Sequence, residues 1–403
     1  MGFPYAPYDE DGNTVLRHPV HVPIPASVIG VISGTSMDGV DVAHLMTDGE
    51  AHIERGPGIS HPYSAAQREA IRAAMGDAMA APDGASRTPL LDEAERAVTE
   101  AHCEAIARFI EQTGIAPDLI GWHGQTVAHA PERRFTMQIG DAALMASHFD
   151  VPVISDFRTA DVLAGGQGAP LVPAYHRALA RQAHLAEPVL VINLGGVANV
   201  TFIDHDALVA FDTGPASALI DDEMATTGAA FDAEGATAAS GTVDEAVLME
   251  LMRHRYFAEP APKSLDRDAF RAFAAGLVGT LGFADRIATL TAFTAESLAA
   301  GVRLFARRPQ TVIAAGGGTH NRTMMRMIEE RLGVPVRTAD ETGFSSDFME
   351  AEAFAYLAVR SHLGLTYTYP GTTGVAAPHT GGQLSLPPDH REAASAEEAH
   401  PPH

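Results

Sequence analysis

Hydrophobic positions along the chain switch between a period of two and a period near 3.6. Val28, Ile29, Val31 and Ile32 form a short β-branched run, and alternation resumes at Val40, Val42 and Leu45. Between the runs stand Gly34, Thr35, Ser36, Asp38 and Gly39, which are turn-formers and hydroxyl donors. The pattern predicts strand, tight loop, strand, with Asp48-Gly49 turning into a third strand at 51–53. Successive N–H groups in such a glycine loop can converge on an anion. The helical period then takes over at 64–80, where Ser64 and Gln67 form a capping box. A longer helix starts at Thr88-Pro89, carries Leu91, Ala94, Val98, Ala101, Ala105 and Phe109 on one face, and ends at Gly114. Residues 118–122 read as a short strand entering a loop at 123–126, followed by 135–141 and a helix at 142–148. A buried strand at 151–155 runs into the glycine-rich stretch 156–170, before a helix beginning near Leu171.

The opening pattern then recurs. Residues 188–193 are a β-run, Leu194-Gly195-Gly196 is the turn, 197–203 is a second strand, and His205-Asp206 turns into a third at 207–211. Strand, glycine hairpin, strand, turn, strand thus occurs once per half. Helical sequence dominates 243–308, broken around Pro260-Ala261-Pro262. A strand at 311–315 ends in Gly316-Gly317-Gly318, a helix at 322–332 is closed by Gly333, a short strand starts at Val334, and 346–360 reads as an amphipathic helix. The duplication predicts an α/β fold of two lobes with a ligand cleft between them. The expected divisions are an extended lead-in at 1–26, lobe I at 27–150 completed by 361–385, lobe II at 151–360, and a disordered tail at 386–403.

The 403 residues, 46% of them hydrophobic, suit a two-domain globular protein. With 27 Lys+Arg against 51 Asp+Glu, the formal net charge of −24 repels nucleic acid and anionic lipid. An anion site in this chain must therefore be built locally, from backbone N–H groups, Mg²⁺ and placed cations. Lys263 is the only lysine; a compact, rotatable ammonium kept where every other basic residue is Arg is a candidate for a specific task. The single Cys103 excludes an intramolecular disulfide and any multi-cysteine metal site, and reads as a structural thiol. Pro and acid occupy the N-terminus where a signal peptide has basic then apolar residues, and no apolar run reaches the ~20 residues of a membrane span, so a cytoplasmic location is expected.

Three chemistries fail on spacing. Ser36 lies in G-T-S-M-D-G before a strand, not in the G-x-S-x-G elbow before a helix. The only lysine sits in Pro-Lys-Ser, so a Walker A loop is absent. His123 and His129 lack metal-ligand spacing on a predicted helix.

The ordered blocks S-G-T-S-M-D-G-V-D, G-W-H-G-Q-T, Q-I-G-D, D-F-R-T-A-D-V-L-A-G-G-Q-G-A-P-L-V-P, I-N-L-G-G-V-A-N-V-T, D-T-G-P-A-S, P-K-S, A-G-G-G-T-H-N and S-S-D-F-M-E-A span 28–373. The series resembles the anhydro-N-acetylmuramic acid kinases of the sugar kinase, Hsp70 and actin superfamily. The resemblance implies two ribonuclease H-like lobes with a central ATP/sugar cleft. It also implies ATP- and Mg²⁺-dependent phosphorylation of a 1,6-anhydro sugar with hydrolytic opening of the bridge, giving N-acetylmuramic acid 6-phosphate. Levoglucosan is the alternative substrate, a non-catalytic sugar or nucleotide sensor the alternative class, and a homodimer is compatible with either.

By the D-x-x-x-G-G-Q-G-A-P motif the catalytic base is Asp161, where a carboxylate beside glycines can approach a ligand closely. The first phosphate loop would be Gly34, Thr35, Ser36, Met37, Asp38, Gly39, Val40 and Asp41. Gly195, Gly196 and Asn199 would form the second clamp, and Gly316, Gly317 and Gly318 would lie against adenosine. His123, Gln125 and Glu350 are the sugar-contact candidates, Arg158 a candidate partner for a lactyl carboxylate. Asp38 and Asp212 are both candidates for holding Mg²⁺ through water, with no choice between them.

Overall fold

A computed structural model describes residues 22–34, 37–80, 87–265 and 269–388. The chain divides into two compact units, 1–182 with 350–403 and 183–349. Both boundaries differ from the expected ones at 150/151 and 360/361. Residues 153–155 pair parallel with 120–121 and so belong to the first sheet, while the helix that follows Phe348 packs on that same sheet.

The first unit carries β1 (Ala26–Ser33), β2 (Gly39–Thr47), β3 (Ile53–Pro62), α1 (Ala65–Ala80), α2 (Pro89–Thr113), β4 (Leu119–Ala130), β5 (Phe135–Ile139), α3 (Ala142–Phe149), β6 (Val153–Ser155), α4 (Thr159–Leu163) and α5 (Pro173–Gln182), and is completed by α12 (Met349–His362) and β12 (Gln383–Ser385). Its sheet runs β12-β6-β4-β1-β2-β3, with β5 paired to β4. β1, β2 and β3 are antiparallel neighbours, and β4 and then β6 join parallel to β1.

The capping signals act as the sequence predicts. Ser64 and Gln67 exchange their reciprocal bonds, Thr88 caps α2 with Pro at its start, and Gly114 closes it in the left-handed conformation. The third strand begins where it was expected to end, because the Asp48 carboxylate accepts from the N–H groups of Glu50 and His52 and holds the turn open that far. α12 is not amphipathic: residues 351–359 are all buried. A Cβ at Gly30 would overlap the Ala351 carbonyl and one at Gly121 the Phe354 carbonyl, so two strand glycines let this helix lie directly on the sheet. Within it, the nearly fully buried Glu352 is held by Arg55 Nε at 2.8 Å and Tyr175 Oη at 2.9 Å, tying α12 to β3 and α5.

The second unit carries β7 (Val189–Leu194), β8 (Val197–Asp204), β9 (Ala207–Pro215), α6 (Ala218–Ala225), α7 (Ala236–Ser240), α8 (Glu245–Leu251), α9 (Arg271–Val278), α10 (Phe283–Val302), β10 (Thr311–Ala315), α11 (Arg322–Leu332) and β11 (Val336–Thr338). Its sheet runs β11-β10-β7-β8-β9, antiparallel through β7, β8 and β9 and parallel from β7 to β10 to β11. The order third-second-first-fourth-fifth is that of β3-β2-β1-β4-β6. The repeat read from the sequence is therefore a duplicated ribonuclease H-like α/β lobe. α10 is buried along most of its length, and its Leu290, Phe293 and Leu298 join Phe211 and Phe270 in a separate core.

Candidate active site

β1 ends at Ser33 and the chain turns. Met37 donates its N–H to the Gly34 carbonyl at 3.1 Å, with Met37 in the left-handed region at φ 58°. Thr35 and Ser36 lie outside the described residues. Val40 and Asp41, assigned to the phosphate loop from sequence, are instead the second and third residues of β2, paired with Ser33 and Ile32. The Val40 side chain is in the core, and Asp41 accepts from Ser60 Oγ at 2.5 Å. The connection between β1 and β2 is therefore residues 34–38. Gly39 is needed for another reason: a Cβ there would strike the His61 carbonyl on β3.

The segment 123–126 is not a loop. It lies inside β4, with a bulge where Val31 pairs Trp122 and Ser33 pairs Gln125. Gly124 takes φ 71° there, and a Cβ would come within 2.7 Å of the Ile139 carbonyl. The bulge turns His123 and Gln125 inward. Gln125 is fully buried and donates to the carbonyls of Gly34 and Thr126 at 3.2 and 3.3 Å, tying β4 to the residue that opens the hairpin. His123 is 5% exposed, and both ring nitrogens are occupied. Nδ1 donates to the Gly124 carbonyl at 2.9 Å, and Nε2 accepts from Arg158 Nε at 2.9 Å. Burial, followed by the nearby Arg158 charge, holds the His123 pKa well below its ordinary value, so the ring is neutral.

Asp161 lies in α4, a single helical turn within the glycine-rich stretch, and is 1% exposed. Its Oδ2 accepts from the Gly168 N–H at 2.7 Å and its Oδ1 from Thr373 Oγ1 at 2.7 Å. A Cβ on Gly166 would overlap this carboxylate. The glycines thus leave room for the Asp161 head and bring a backbone donor to it, and two of its roughly four lone-pair positions stay free. Arg158 donates Nη1 to the Gly168 carbonyl at 2.6 Å, so the same glycine is pinned on both sides. Burial lowers the Arg158 pKa to about 10, against the opposing effect of Glu350. Glu350 is exposed at the start of α12.

A cavity of about 640 Å³ in this unit is lined by His123, Thr136, Gln138, Asp156, Thr159 and Gln383 among others. Its volume is in the range of ligand pockets. Asp156 has φ 52°, and its carboxylate accepts from Gln383 at 2.7 Å. Burial raises its pKa to about 6.

In the second unit the glycine turn is bound back onto its own lobe. The Gly196 carbonyl accepts from the N–H groups of Ala216 and Ala218, and Gly195 from Ser217, all at the start of α6. Gly316 at φ 86° and Gly318 pack against Leu194; a Cβ on Gly318 would come within 2.6 Å of Leu194 Cβ. The structure therefore brings the glycine run 316–318 against the end of β7, directly before Gly195 and Gly196. Asn193, Asn199 and Asp212 face one another across β7, β8 and β9.

Asp212 is bound back onto its own unit. Its Oδ2 accepts from the Leu265 N–H at 2.7 Å and its own N–H donates to the Lys263 carbonyl at 3.0 Å, so it clips the P-K-S-L segment to the edge strand. Burial raises its pKa to about 7. Lys263 donates Nζ to the Tyr256 carbonyl at 2.8 Å and lies 4.3 Å from that ring's centre. Asp38, exposed on the first hairpin, has the hard-oxygen chemistry that suits Mg²⁺. Among the described residues, the one cluster with ligand-like spacing is Glu187, Asp204 and His205, far along the sheet from these glycines, with Arg307 already paired to Asp204.

Sequence reasoning missed His102. This α2 residue is fully buried, accepts from Trp122 Nε1 on Nδ1 at 2.6 Å, and meets Tyr63 Oη and Ser33 Oγ through Nε2 at 2.8 and 3.1 Å. It falls on the apolar face of its helix, and that polar interruption was the available signal.

Each unit is a copy of a ribonuclease H-like lobe with a glycine hairpin after its first strand, and the first unit also holds a buried Asp beside a glycine loop. The family model for anhydro-N-acetylmuramic acid kinase matches residues 26–386. A protein of that name from Rhodopseudomonas palustris is 50% identical over 367 residues, covering 90% of this chain and 99% of the relative. One from Bradyrhizobium diazoefficiens is 49% identical over 367 residues with the same coverage. Among solved structures, the activator of 2-hydroxyisocaproyl-CoA dehydratase from Clostridium difficile aligns with a TM-score of 0.44 at 11% identity, over 84% of this chain and 96% of that one. The chain belongs to the anhydro-N-acetylmuramic acid kinase family. No helix among the described residues is long and apolar enough to cross a membrane.

Proposed function

We propose that the protein phosphorylates 1,6-anhydro-N-acetylmuramic acid with ATP while opening the anhydro bridge with water. Water adds to the anomeric carbon and gives a proton to the Asp161 carboxylate. The bond from that carbon to the bridging oxygen breaks, and the freed 6-oxygen takes the γ-phosphoryl group, releasing ADP. The products are N-acetylmuramic acid 6-phosphate and ADP. The observation that carries this reading is the Asp161 carboxylate, lodged against Gly166 and oriented by Gly168 and Thr373 so that lone pairs remain for a water.

Residues 34–38 would supply backbone donors to the phosphates, and Gly195, Gly196 and the run 316–318 the second clamp and the adenosine surface. Mg²⁺, held through water at Asp38, would supply charge neutralisation at the phosphates. Arg158, spent on His123 and Gly168, serves the Asp161 loop rather than a lactyl carboxylate.

Asp161→Asn keeps the shape and the acceptor oxygen but removes the base. It is expected to bind an ATP analogue and the anhydro sugar near normally, and to lose turnover by 10³-fold or more. Turnover within tenfold of the parent removes Asp161 as the base. Running the parent enzyme on levoglucosan in parallel tests the substrate, since that sugar keeps the bridge and lacks the N-acetyl and lactyl groups.

A further inference from the structure

We propose that His102 and His123 are positioning residues: two neutral imidazoles in one continuous buried chain of hydrogen bonds that fixes the base of the first glycine hairpin against the loop carrying Asp161. The inference rests on the kinase reading for its effect on rate, and on the structure alone for the chain itself.

The links at Trp122 and Arg158 have a fixed direction, which sets the tautomer of each histidine. Trp122 can only donate, so His102 Nδ1 accepts and Nε2 carries the proton toward Tyr63 Oη and Ser33 Oγ. Ser33 Oγ donates to the Gly124 carbonyl at 3.3 Å, whose second lone pair takes the His123 Nδ1–H. Arg158 can also only donate, so His123 Nε2 accepts; the same guanidinium reaches the Gly168 carbonyl, and the Gly168 N–H reaches Asp161. A second proton on either histidine would set N–H against N–H, at Trp122 in one case and Arg158 in the other. Burial keeps both rings neutral, His102 with a pKa near 3. Ser33 is the last residue of β1, directly before Gly34, and Gly168 holds the proposed base. A displacement of about 1 Å between such groups can cost about 10²-fold in rate.

The two ring nitrogens of His102 can be removed separately. In His102→Gln the amide nitrogen stands in for Nε2, keeping the Ser33 side and releasing Trp122. In His102→Asn the amide oxygen stands in for Nδ1, keeping Trp122 and releasing Ser33. The expected result is kcat within threefold of the parent for Gln with a shifted emission of Trp122, the sole tryptophan. For Asn, kcat falls tenfold or more with near-parental emission and little change in KM for ATP. Amide hydrogen exchange gives a readout independent of activity: Asn accelerates exchange in 164–169 as well as 33–39, and Gln in neither. Equal losses in both variants, or Asn-induced exchange confined to 33–39, overturn the proposal. A parent chain with no sugar-dependent ATP consumption refutes the kinase reading instead, and the exchange pattern then decides this inference by itself.

Discussion

The hairpin after β1 stands on a buried polar network, whereas the hairpin after β7 stands on a helix start and an apolar core. Beneath the first are Ser33, His102, Tyr63, Trp122 and Gln125, all nearly or fully buried and hydrogen-bonded in fixed directions. Beneath the second, the glycine carbonyls take N–H groups at the start of α6, and Leu194 packs against Gly316 and Gly318. Dispersion and burial tolerate small changes of shape. A buried polar chain does not, since each broken link leaves a desolvated donor or acceptor. The first lobe therefore spends polar burial where the proposed chemistry needs a defined geometry, and the second lobe packs glycines closely where a flat nucleotide surface would suffice.

That contrast can be broken in order of expected effect. His102→Leu removes the acceptor of Trp122 and the donor to Tyr63 and Ser33. It should lower the unfolding free energy by roughly 3 kcal/mol or more, read by urea denaturation; a loss below 1 kcal/mol would mean that the network is not a foundation. Gly318→Ala must displace Leu194. It is expected to cost about 1–3 kcal/mol and to raise KM for ATP several-fold with little change in kcat, the reverse of the His102→Asn pattern.

The titrations of Asp212 and His102 should differ in sign. Asp212, raised by burial to about 7, favours the folded state when protonated, so its contribution is full below pH 4 and is lost as pH rises through 7. Asp212→Asn should flatten that loss, on the order of a few kcal/mol between pH 4 and 7. His102, lowered by burial to about 3, acts oppositely: its contribution is full above pH 6.5 and is lost as pH falls toward 3. Thermal unfolding against pH in Asp212→Asn and His102→Gln separates the two. The smallest effect is expected for Thr294→Val, which removes the hydroxyl that supports the Ala216 carbonyl before α6 at 3.1 Å. A loss of about 1 kcal/mol with parental kinetics fits a helix-backed hairpin; a tenfold fall in kcat would make the second foundation as exacting as the first.

Much of the fold is legible in the residues themselves. Periodicity and caps mark α1, α2 and α11, and β-branched runs flanking glycine pairs mark both hairpins, because these signals act over a few residues. The duplication follows from the same local pattern occurring twice. Asp161 is legible through its glycine-rich motif, and Cys103 through its apolar surroundings; it is buried, with its pKa raised to about 11.

Other assignments depended on partners distant in sequence. Whether 123–126 is loop or strand was decided by β5 and β1 on either side of β4, and within that pairing His123 and Gln125 are buried. Val40 and Asp41 stand in β2 rather than in the turn because they pair with Ser33 and Ile32 on β1. α12 looked amphipathic alone and is buried on all sides over 351–359 because Gly30 and Gly121 admit it to the sheet. The sequence by itself determined the elements, their repetition and the family, since those rest on local propensity and ordered motifs. Only the tertiary structure decided which polar side chains face one another across 35 to 212 residues of chain, because hydrogen-bond direction depends on where the partner stands.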